Sequence, residues 1–124
     1  MRLRAPRALV RGTAWLSVAG IAYLSLIPHT MEVRTPLPPG IEHLIAYAGA
    51  AALMTWAYPE RSAWAMVGWL FAYSGALELL QHMSPGRHGQ VAGALWSGAG
   101  AAVGAAVARL LQAVSSVKLR NPPG

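Results

Sequence analysis

The sequence contains no cysteine and no aspartate, a single phenylalanine, and only four acidic residues, all glutamate, against ten Lys and Arg. Without cysteine there is no disulfide framework, no thiolate metal or iron–sulfur site and no thiol nucleophile. Charged residues make up 11% of the 124 residues, under half of the roughly 25% expected in a soluble globular domain. So few charges cannot coat a globular surface, which argues against a soluble enzyme. The composition also excludes a disordered chain, which needs low hydrophobicity and high charge. What the chain has in place of charge is apolar: 55% of its residues are hydrophobic. Its length allows one domain, residues 1–124.

The net charge of +6 is concentrated at the two ends, in Arg2, Arg4, Arg7 and Arg11 and in Lys118 and Arg120. No aromatic-rich basic face accompanies these blocks, so nucleic acid is not an expected partner. Beside long apolar stretches they read as cytoplasmic anchors against anionic lipid.

Charges and histidines divide the chain into four apolar stretches, 12–28, 44–59, 62–77 and 89–108. A membrane-spanning helix needs about 20 such residues, with a range of about 17–25. A soluble four-helix bundle would need a polar face on every helix, and the third and fourth stretches offer almost none. Ala and Leu dominate and period-2 alternation is missing, which argues against strands. The expected fold is all-α, an integral membrane four-helix bundle with spans at about 10–28, 42–58, 62–81 and 89–109. The basic start, apolar run and small residues Ala19 and Gly20 also fit a secretory signal. Cleavage there would leave an odd number of spans, so this segment is read as an uncleaved first helix.

Turn residues support the same division. Pro28 ends the first helix, Pro36, Pro38, Pro39 and Gly40 extend the next loop, Pro59 interrupts the chain, and Ser84-Pro85-Gly86 forms a turn. Ser62 is a candidate cap for the third helix. Trp56, Tyr58 and Trp64 are expected near one membrane interface. The Lys and Arg distribution puts both ends in the cytoplasm and the 28–43 and 81–89 loops outside.

This topology collects the chain's chemistry at the outer end. His43 falls in the first turn of the second helix with Tyr47 one turn deeper, and Glu78 falls near the end of the third with Gln81 on the same face. Extending the third helix to Gln81 gives it a spanning length and carries Glu78 into the bilayer edge. An ionisable group there is costly and faces a partner. Arg87, His43 and Tyr47 are the available partners. The plainest reading is a salt bridge that pins an outer loop to a helix end. The functional reading is an outward-facing polar pocket of His43, Tyr47, Glu78, Gln81 and Arg87 for a headgroup or envelope intermediate. There Arg87 would be expected to pair with phosphate or carboxylate and Gln81 with an amide or sugar. A catalytic alternative makes Glu78 or His43 a general base. A metal site of His43, Glu78 and His82 is the weakest, resting on the i, i+4 spacing of Glu78 and His82; no metal or cofactor is expected. HExxH, P-loop and GxSxG motifs are absent.

In the fourth segment Gly93, Ser97, Gly100 and Gly104 line one face, and Gly100 and Gly104 form a GxxxG. Such a face lets backbones approach closely. Packing within the chain is the first expectation, with an oligomer through Gly100 and Gly104 as the alternative.

Several segments in this order resemble the VanZ-like family of small bacterial membrane proteins. They are YLSLIP ending the first helix, HLIAYAGAAAL opening the second, GALELLQHMSPGR ending the third, and GAGAAVGA in the fourth. The most specific element is Glu78-x-x-Gln81 followed by Pro85-Gly86-Arg87, supported by His43-x-x-x-Tyr47. The resemblance implies a multi-span protein of the bacterial cytoplasmic membrane, and a link to the cell envelope and glycopeptide resistance. It implies no defined activity. The family pattern has an acid where Gly93 stands, an amide where Ser97 stands and a base where Gly40 stands. The functional expectation is a non-enzymatic envelope protein whose partners are membrane lipids or an envelope precursor. The alternative is a membrane enzyme acting on a lipid-linked precursor with Glu78 as acid/base.

Overall fold

A computed structural model describes residues 6–27, 36–83 and 91–120. These residues form four helices, α1 (Arg7–Leu26), α2 (Pro39–Ala57), α3 (Ala63–Gln81) and α4 (Val91–Arg120), with no strand among them. The first three agree with the expected spans to within three residues, and local chemistry sets their ends. Ile27 follows α1 in an extended conformation, φ −64° and ψ 150°, the region to which a following proline confines its neighbour. Pro39 occupies the first turn of α2, where its missing N–H costs nothing; α2 therefore starts three residues before the expected position 42. The Ser62 side chain accepts from the Ala65 N–H at the start of α3, as a cap does.

The fourth helix departs from expectation. It runs through Arg109 to Arg120, eleven residues beyond the expected end. A charged residue inside an apolar run reads as a terminus in sequence. Here Arg109 reaches sideways, donating to the carbonyls of Pro59 (3.1 Å) and Arg61 and to the Gln112 side chain (2.9 Å). With its guanidinium satisfied by the α2–α3 turn, the helix continues past it.

Helix α2 is the hub, touching α1, α3 and α4, while α3 also touches α1 and α4. Helices α1 and α4 do not meet among the described residues, so the order around the bundle is α1, α2, α4, α3. The tightest seam joins α2 and α4, which run parallel. A Cβ on Gly100 would collide with the backbone of Leu44, and one on Gly104 with the backbone of Ala48. The equal steps of four residues on both helices show a sustained close approach, with Gln112 continuing it to the Thr55 carbonyl at 3.5 Å. The GxxxG face is thus packed inside the chain, against α2.

Packing is inverted relative to a soluble protein. Among the described residues, eight of the fourteen buried apolar ones are alanine, whereas all five tryptophans are exposed. Large apolar side chains such as Leu16, Trp64, Phe71, Leu79 and Leu95 point outward from every face. Water would disfavour so continuous an apolar exterior, while lipid tails solvate it and leave small residues to bring the helices together. Helices α1, α3 and α4 are each long and apolar enough to cross a membrane.

Candidate functional site

The two ends of the bundle differ in chemistry. At the end formed by the α2–α3 turn, Arg11 donates to the Ala57 carbonyl, stacks 4.5 Å over the Tyr58 ring and pairs with Glu60 at 3.5 Å. Trp15 Nε1 donates to the Tyr58 hydroxyl at 2.9 Å, and Arg109 holds the turn from the other side. These contacts use backbone carbonyls and exposed charge; they fasten α1 and α4 to the turn.

At the opposite end the structure brings His43 and Glu78 together. His43 Nε2 lies 3.7 Å from Glu78 Oε1, with 32% of the His43 side chain and 13% of the Glu78 side chain exposed. The first turn of α2 and the last turn and a half of α3 supply the two groups. The other imidazole nitrogen, Nδ1, is 2.8 Å from the Pro39 carbonyl oxygen. A carbonyl only accepts, so Nδ1 carries a hydrogen and Nε2 is the atom that faces the carboxyl group. At 3.7 Å the two groups stand at ion-pair distance, longer than a direct hydrogen bond.

Helix α4 forms the floor. A Cβ on Gly93 would collide with Glu78 Oε1, so the carboxyl group occupies the space a side chain at 93 would take. A Cβ on Gly40 would meet the Trp96 indole at 2.6 Å, so Trp96 fills the corresponding gap beside α2.

Beneath the pair lies a hydroxyl layer. Tyr47 is buried, and the side chains of Ser74 from α3 and Ser97 from α4 are its hydrogen-bonding neighbours. Ser97 itself donates to the Gly93 carbonyl at 2.8 Å. Gln81 is buried and its amide donates to the Ser25 carbonyl of α1 at 3.1 Å, a bond that ties α1 to α3. Of the five expected site residues, His43 and Glu78 are in contact, Tyr47 lies one turn deeper, Gln81 is engaged with α1, and Arg87 lies outside the described residues. His82 caps α3 and is exposed. Among the described residues no three His or Glu side chains converge as a metal site requires. Ser74 was not anticipated: a lone serine in an apolar helix carries no spacing signal, and only the packing of three helices gives it a role.

The fold defines the class: an all-helical bundle, three of whose helices can cross a membrane, with a histidine–carboxyl pair at one end. No protein-family model, curated protein or solved structure matches the chain.

Proposed function

We propose that this chain is a four-span protein of the bacterial cytoplasmic membrane that binds the polar headgroup of a lipid or lipid-linked envelope precursor at its outer end. The observation that carries the reading is the partly exposed His43–Glu78 pair at the end of an otherwise apolar bundle. Two ionisable groups at a bilayer edge are costly unless they serve each other or a ligand. Zwitterionic or phosphorylated headgroups suit this edge. Glu78 takes an ammonium or hydroxyl group, and His43, with Arg87 from the segment between α3 and α4 in sequence, takes a phosphate. Both chain ends lie in the cytoplasm, in keeping with the basic blocks there. The likeness to the VanZ-like family points to the same compartment and to the cell envelope.

Native mass spectrometry of the protein extracted with its lipids tests this. The wild type is expected to carry a discrete adduct that Glu78→Gln and Arg87→Ala lose while remaining helical. The same lipids on all three proteins would overturn the reading and leave the pair as a salt bridge.

One observation favours a second reading, a membrane enzyme with Glu78 as acid/base. The Pro39 carbonyl fixes the imidazole with Nε2 toward the carboxyl group, an orientation suited to proton exchange. In that case Glu78→Gln keeps the adduct and accumulates it unprocessed.

A further inference from the structure

Two glycines bring an acid and an indole to one place. The Glu78 carboxyl group rests on α4 where a side chain at Gly93 would stand, and the Trp96 indole of α4 rests on α2 where a side chain at Gly40 would stand. Residues three apart on a helix carry Cβ atoms about 5–6 Å apart. Trp96 is therefore one step along α4 from the Glu78 carboxyl group and, through Gly40, one step along α2 from His43. It is 42% exposed, so it walls the His43–Glu78 pair and leaves that wall open to a ligand.

The wall sets the class of ligand. Glu78 by itself does not tell an ammonium from a hydroxyl, since either donates to a carboxylate. The indole does, because the negative face of its ring attracts a cation. The carboxyl group adds a second condition. Its side chain is 13% exposed and is backed by α4, so a ligand nitrogen reaches it from one side and needs an N–H to donate. A primary ammonium has such hydrogens and a quaternary ammonium has none. His43 adds a third. Protonated on both nitrogens, it is the cation of a pair whose partner lies 3.7 Å away. A ligand with one cation and one anion on neighbouring groups lies antiparallel over such a pair and satisfies both members. A net anionic headgroup brings no positive charge to Glu78 or to the indole.

We infer that the headgroup bound here is phosphoethanolamine, with its primary ammonium between the Glu78 carboxyl group and the Trp96 indole and its phosphate on His43. The inference rests on the headgroup reading above and adds Trp96 as the residue that selects the ammonium.

Nanodiscs holding equal amounts of phosphatidylethanolamine, phosphatidylglycerol and phosphatidylcholine with identical acyl chains test it, read by native mass spectrometry of the released protein. The ethanolamine lipid is expected to exceed each of the others in bound fraction by at least about fivefold. Trp96→Leu is expected to lower that preference about threefold, the size of a cation–π contact. Trp96→Phe keeps most of it and Glu78→Gln abolishes it, with helix content unchanged in all three variants. Equal adducts of the three lipids, or an excess of the glycerol or choline lipid, overturn the inference and leave a headgroup site of another class. A preference that survives Trp96→Leu in full overturns it as well. No discrete adduct with any of the three lipids overturns the headgroup reading itself, and this inference with it.

Discussion

Glu78 rests against α4 because position 93 has no side chain. Substituting Gly93→Ala puts a methyl group where the carboxyl oxygen now lies. The colliding atom is the far end of a flexible side chain, so the carboxyl group swings away while the backbone stays. Thermal stability in detergent is therefore expected to change by less than about 1 kcal/mol, while the lipid adduct falls as it does for Glu78→Gln. An unchanged adduct with full occupancy would mean that the carboxyl position does not matter. Thr55 is a different case. It is fully buried, and its hydroxyl has no hydrogen-bond partner among the described residues. Thr55→Val removes an unsatisfied polar atom at nearly constant volume and is expected to stabilise the fold by about 1 kcal/mol, read as a rise in unfolding temperature. At this scale the sequence made the acid and the histidine legible, because an ionisable residue at a span's edge needs a partner and depth limits the candidates. It left the role of Gly93 illegible. A glycine has no side chain to read, and only the crossing of α3 over α4 shows that the empty space at position 93 holds the Glu78 carboxyl group.

Helices α2 and α4 approach through backbone, and that contact has no slack. Gly104→Ala would press a methyl group into the Ala48 carbonyl, which belongs to a helix and cannot rotate away. The expected cost is about 1–3 kcal/mol, with Gly100→Ala similar at Leu44. Gly49→Ala and Gly68→Ala serve as controls: nothing lies within 4 Å of a Cβ at either position, and alanine is the better helix former by up to about 1 kcal/mol. Unfolding temperatures in one detergent should therefore separate the two pairs in sign. Comparable losses at all four would show that the α2–α4 seam is not where the bundle is tightest. The ends of α1, α2 and α3 were legible because prolines and charges bound them. The far end of α4 was not, since Arg109 finds its partners in a turn 48 to 50 residues away in sequence. Nor does sequence reveal the order around the bundle, which depends on which small-residue face meets which helix.

Over the whole molecule, small residues inside and large ones outside fit lipid as the solvent, and three helices qualify as spans by length and composition. Helix α2 does not, because Pro39, Gly40, Glu42 and His43 occupy its first turns. It is also the helix that touches all three others, so much of its surface meets protein and His43 meets Glu78. A hub helix surrounded in this way can cross with less apolar character than its neighbours. At 19 residues it is about 28 Å long, close to the thickness to be spanned. In the proposed topology, crossing by α2 is what would put both ends of the chain on one side. Single cysteines at Leu37, Glu60 and Met83 decide it with a membrane-impermeant maleimide. Replacing Glu60 removes only an exposed pair with Arg11, worth at most about 1 kcal/mol. In intact cells Leu37→Cys and Met83→Cys are expected to label, and Glu60→Cys only after the cytoplasmic face is opened. Labelling of Leu37→Cys and Glu60→Cys from the same side would leave α2 uncrossed and the chain with three spans. The His43–Glu78 pair would then no longer sit at an outer surface shared by α2 and α3.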